Sequence, residues 1–173
     1  MSLPNFELIT ELQMTARRDF PVAAPSILSP LDSAALVEGE WLELDNNYKL
    51  ARGGTGAGTA EEGTNAAVFP VHTEKGRYDT QAVQKVNVIF AHDYEAETTI
   101  VNPTGLVIGD ALTVQNVNIN GVVRRGLAKR LTQSTGTPAV KSAVNPDAAV
   151  VGYVTKVTGS KVRFIHRGVV KAF

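Results

Sequence analysis

GYVTKVTGSKVRFIHRG, residues 152–168, is the stretch that decides the fold. Two alternating runs meet at Gly159-Ser160, a pair that suits a type II′ turn because glycine takes the positive φ at its first central position. Val162, Phe164 and His166 share one face of the second run, at the period of two that a strand imposes. The chain therefore closes on an antiparallel hairpin.

The same signals recur toward the N-terminus. VNINGVV carries Asn120-Gly121, the strongest short hairpin signal. In LVIGDALTV, Gly109 and Asp110 are placed like a kink before a strand, and NPTG marks a turn over Asn102 to Gly105. KVNVIFAH (Lys85 to His92) alternates with Val86, Val88 and Phe90 on one face and Asn87 and Ile89 opposite, and YEAETTIV (Tyr94 to Val101) reads as its neighbour. Val68 to His72 has β-like content. LVEGEWLELD (Leu36 to Asp45) alternates past Gly39, with Trp41 opposite Leu42 and Leu44; Asn46-Asn47 makes a turn and YKLAR a partner strand. Turn signals at a spacing of roughly 8 to 12 residues indicate a sandwich or small barrel. Beyond the N-terminal segment only Gly126 to Thr132 offers a helix, so parallel crossovers have no helices to use. The expected fold is all-β: a small antiparallel β-barrel or sandwich.

The 173 residues suffice for one ordinary domain, or for a compact domain with an extended arm. Met1 to Pro30 reads as the arm, because Pro4, Pro21, Pro25 and Pro30, half of the 8 prolines, remove backbone donors and disfavour helix before each ring. Phe6 to Met14 fits a short helix or a strand equally well. Residues 31–173 then form the β-barrel domain. Within it Gly53 to Ala66 holds no large apolar side chain, cannot bury enough surface to offset its ordering entropy, and is expected as a flexible surface loop. The arm carries Phe6, Leu8, Leu12, Met14, Phe20, Val22, Ile27 and Leu28. At about 1.5 to 3 kcal/mol for each side chain buried, they suffice to hold it against its own barrel, a neighbouring copy or a scaffold lattice.

Charge and composition narrow the partners. Lysine plus arginine equals aspartate plus glutamate, 17 against 17, which argues against nucleic acid and leaves little self-repulsion to oppose crowding. The chain has no cysteine, so disulfides and thiolate chemistry are excluded. MSLPNFELITELQMTARRDF offers no apolar run long enough for a signal peptide or a membrane span, so a cytosolic origin, or release from one by lysis, is expected.

Each chemical motif has a plainer reading. Gly53, Gly54, Gly56 and Gly58 are followed by Ala60, Glu61 and Glu62, and two carboxylates would repel a phosphate. His72, His92 and His166 lack metal-ligand spacing, and His92-Asp93 has no GxSxG elbow to complete a triad. Arg124, Arg125, Lys129 and Arg130 form a basic cluster, read either as an anionic contact or as a solvated edge strand, with the edge strand favoured.

TTIVNPTGLVIGDALTVQNVNINGVVRRGLAKRL, followed by AAVVGYVTKVTGSKVRFIHRG, resembles the head decoration (cement) proteins of tailed bacteriophages. The resemblance covers mainly Ala34 to Arg52 and Val86 to Gly168, through LVEGEWLELD, IGDALTV, VVGYVTKV and VRFIHR. It implies a β-tulip-like barrel with no cofactor and no catalysis, made in the host cytoplasm and placed on the outer surface of the virion. It also implies homotrimers at or near threefold positions, binding the major capsid protein and stabilising the expanded capsid, with neither nucleic acid nor membrane as partner. Candidates for the capsid or subunit interface are then Phe6, Leu8, Leu12, Arg17, Arg18 and Phe20 of the arm, with Arg124 and Arg125. The alternative is a carbohydrate- or receptor-binding β-barrel of a phage tail or surface structure, for which Trp41, Tyr48, Tyr78, Tyr94 and Tyr153 are the aromatic candidates. An enzyme ranks third.

Overall fold

A computed structural model describes residues 5–10, 17–22, 36–44, 47–51, 68–73, 85–91, 93–130 and 150–170. The strands are β1 (Phe6–Leu8), β2 (Arg17–Pro21), β3 (Trp41–Leu44), β4 (Leu50–Ala51), β5 (Val68–Thr73), β6 (Lys85–Ile89), β7 (Tyr94–Thr98), β8 (Ala111–Ile119), β9 (Val122–Lys129), β10 (Val150–Thr158) and β11 (Lys161–Val170). No helix occurs among the described residues. The fold is all-β, as the alternating sequence requires.

The strands form a 6-stranded sheet, β1-β7-β11-β10-β8-β9, and a 5-stranded sheet, β2-β6-β5-β3-β4, with antiparallel pairing throughout. A bridge between Val22, just past β2, and Leu50 of β4 ties the two ends of the smaller sheet together, so that sheet curls back on itself. The larger sheet curls too. Val101, just past β7, bridges Leu127 of β9, where Leu127 N donates to Ile100 O at 3.0 Å and Asn102 N donates to Leu127 O at 2.8 Å. Each bridge closes its sheet at one point only, so β2 remains an end strand of the smaller sheet.

Both tight hairpins form where the sequence places them. Asn120 (φ 52) and Gly121 (φ 85) both take positive φ, the pattern of a type I′ turn, whereas at the terminal hairpin only Gly159 (φ 59) does, the pattern of type II′. Alternation then sorts side chains between two cores. On β6, Val86 and Val88 enter one core and Ile89 the other; on β3, Leu42 enters the first and Trp41 the second. Trp41 lies 6.1 Å from the ring of Phe164 on β11, so the main core joins the two sheets. Each aromatic pair of this kind adds about 0.5 to 1.5 kcal/mol to the burial of its rings.

Two expectations are corrected. YEAETTIV does not neighbour KVNVIFAH: β7 pairs with β1 and β11 in the larger sheet, because Asp93 (φ 61) turns the chain out of the smaller one. Gly126 to Lys129 is strand, not helix; a Cβ at Gly126 would stand 2.5 Å from Ile100 O, so glycine permits the close approach that the Val101–Leu127 bridge needs.

The described parts of the arm lie on the chain's own body. β1 settles Phe6 to Leu8 as strand and pairs with β7 from Phe6↔Thr98 to Leu8↔Ala96. β2 pairs with β6 from Arg17↔Ile89 to Pro21↔Lys85, which places Pro21 at a strand end where its missing N–H costs least. Both strands are integral to their sheets, so the body draws on residues before the expected boundary at residue 30. The expected loop at 53–66 lies outside the described residues.

Candidate interaction surface

The structure separates the expected interface residues into two groups. Phe6 is 6% exposed and meets Phe164 edge-on at 6.5 Å, while Leu8 packs half-buried against the same core. Phe20 is 8% exposed in the core it shares with Leu42, Val86 and Val88. Arg125 is buried, with Nη1 donating to Asn116 Oδ1 at 3.2 Å, and Arg124 Nη1 reaches Glu40 Oε1 at 3.0 Å. Phe6, Leu8, Phe20, Arg124 and Arg125 are thus committed within the chain: the apolar ones because strand alternation turns them inward, Arg124 because fully buried Glu40 needs a cation. Leu12 lies outside the described residues. The basic cluster lies on and just past β9, an end strand of the larger sheet as expected, but the charges of Arg124 and Lys129 are paired within the chain, Lys129 Nζ meeting Asp110 Oδ2 at 2.8 Å.

Arg17 and Arg18 form the second group. Both are exposed on β2, an end strand of the smaller sheet. Neither forms an ion pair with a described residue, whereas Arg124, Lys129, Lys161, Arg163 and Arg167 each face a carboxylate. The Arg18 guanidinium lies over the ring of Phe90, 4.9 Å from its centroid, and Phe90 stands 4.7 Å from Phe69. Asp19, between Arg18 and Phe20, accepts a 2.8 Å hydrogen bond from Asn87 Nδ2. Half-buried His72 is held below its ordinary pKa of 6.5 by burial first and by the charge of Arg17 second, so it is neutral at pH 7. The result is an end strand with two cations and a supporting aromatic cluster.

A second exposed feature was not anticipated. Val107 and Ile108 are 59% and 72% exposed on a loop held rigidly: Val107 N donates to Asp110 Oδ2 at 2.9 Å and Gly109 N to Val154 O at 2.8 Å. The hydrogen bond and charge of Lys129 keep the Asp110 carboxyl below its ordinary value. Two β-branched residues between the NPTG turn and Gly109-Asp110 were the available signal for it. On the larger sheet, Glu97 accepts from Arg163 and pairs with Lys161 at 3.0 Å; hydrogen bonds from Lys161 and then Arg163 hold its pKa down.

Of the aromatics considered for a sugar platform, Trp41 and Tyr94 are buried in the main core and offer no ring face to a ligand; burial also pushes the Tyr94 hydroxyl well above its usual pKa. Tyr48 and Tyr153 are exposed, and Tyr78 lies outside the described residues. His166 is buried, with Nδ1 3.1 Å from Ala91 O, and no group of three metal-ligating side chains occurs among the described residues. No helix long and apolar enough to cross a membrane occurs among the described residues. Comparison with protein-family models, curated proteins and solved structures finds no match to this chain.

Proposed function

We propose that this chain is a structural protein of a tailed-phage virion, a head decoration protein that binds the outer surface of the expanded capsid and stabilises it as a homotrimer. The reading draws on the resemblance through LVEGEWLELD, IGDALTV, VVGYVTKV and VRFIHR. One geometric observation supports it: an end strand presents Arg17 and Arg18 to solvent without a carboxylate partner among the described residues, whereas Arg124, Arg163 and Arg167 each pair with a carboxylate of the same chain. A surface of that kind suits docking onto another protein.

A clamp that binds the expanded lattice and not its precursor stabilises the shell by mass action, and repetition over the lattice multiplies a modest contact. Co-sedimentation of purified protein with expanded heads lacking it tests the reading. Saturable binding that raises the heads' thermal stability is expected; its absence would refute the role.

A further inference from the structure

We infer that the surface docked by the β2 end strand is an acidic protein surface whose carboxylates are held by the guanidiniums of Arg17 and Arg18; this rests on the docking role proposed above. Adjacent residues of a strand project to opposite faces, so the two guanidiniums straddle the edge of the smaller sheet. A partner that satisfies both presents acids to either side of that edge.

The two arginines are prepared for planar recognition. Arg18 rests on Phe90, which is backed by Phe69 at 4.7 Å and Phe20 at 5.4 Å, and a guanidinium stacked on a ring keeps its in-plane N–H donors free for a carboxylate. Charge separates the possible occupants. A second copy docking through the same edge would set arginine against arginine, a like-charge contact that opposes pairing. A nucleic acid fits poorly because its affinity comes from many phosphate contacts, while this edge carries Asp19 beside Arg18, a neutral His72, and a chain of zero formal net charge. A protein surface with a few placed carboxylates meets each condition.

The test measures full-length protein against three probes: expanded heads lacking it, a labelled oligoglutamate peptide and a labelled DNA duplex. Arg17→Gln/Arg18→Gln is expected to lose affinity for heads and oligoglutamate by about tenfold for each arginine removed, and Arg17→Lys/Arg18→Lys by less, because charge survives and the planar fork does not. Wild-type binding should weaken as salt rises. Unchanged thermal midpoints establish that both variants fold. Undiminished binding by the glutamine variant, or preference for DNA over oligoglutamate, would overturn the inference. The two proposals fail separately. Arginine-dependent binding to oligoglutamate without binding to heads supports the acidic partner and removes the capsid; equal binding of wild type and glutamine variant to heads keeps the capsid and removes the arginine site.

Discussion

Replacing Phe6 with alanine distinguishes a strand built into the body from an arm laid loosely on it. Phe6 is 6% exposed, contacts Phe164 at 6.5 Å, and sits beside Gly39, where a Cβ would stand 3.2 Å from Phe6 Cβ. With neighbours this close on two sides, the site cannot collapse around the lost ring. The expected cost is about 3 to 5 kcal/mol, the range for removing a buried aromatic. For a chain of 173 residues that corresponds to a fall of about 6 to 20 °C in thermal midpoint. The control is Glu7→Ala on the same strand, whose side chain is 53% exposed and whose contact to Lys161 is 3.9 Å, with an expected change within about 0.5 kcal/mol. Urea unfolding followed by Trp41 fluorescence reads both. A Phe6→Ala protein as stable as the Glu7→Ala protein would show that β1 is not part of the cooperative unit.

Other outcomes follow from single contacts. Gly152→Ala would put a Cβ 2.3 Å from Ile165 O, a backbone atom that cannot step aside, so urea unfolding should show a loss of about 1 to 3 kcal/mol or more; wild-type stability would mean that β10 and β11 are further apart. Glu40→Ala leaves Arg124 largely buried without this carboxylate and should cost about 3 to 5 kcal/mol, whereas a joint apolar replacement of both should cost less, as a double-mutant cycle would reveal. Glu97 and Asp110 have folded pKa values depressed below their ordinary 4.5 and 3.8. Their stabilisation is therefore complete above those values and lost as pH falls through the lower folded ones. Unfolding midpoints measured from pH 7 down to about pH 3 should decline over that acid range, and less steeply in Glu97→Gln; parallel curves would show that Glu97 contributes no pH dependence.

Local signals in the sequence carried the fold class because they depend on neighbours only. Asn120-Gly121 and Gly159-Ser160 allow the φ values that two-residue turns need, and alternation placed Val86 and Val88 apart from Ile89 as the two cores require. Sheet membership was not legible. KVNVIFAH and YEAETTIV look like partners, and only the turn at Asp93 sends them to different sheets. The candidate surface divided along the same line. Phe6 and Phe20 were visible as adhesive residues, but their adhesion is to Phe164, Phe69 and Phe90, contacts far along the chain that hydrophobicity cannot specify. Glu40 gave no sign of its role: a carboxylate beside Trp41 reads as a solvent-facing strand residue until Arg124 is brought to it from β9. Arg17 and Arg18 kept their exposed character because no acid folds against them among the described residues.

Cryo-electron microscopy of expanded heads with and without the chain addresses the docking role most directly. The expected image has added trimeric density on the outer surface, with the β2 strand turned toward the coat lattice and acidic coat residues within reach of Arg17 and Arg18. Heads unchanged by addition of the chain would contradict the capsid role itself, and bound chain with β2 facing solvent would contradict the assignment of its contact surface.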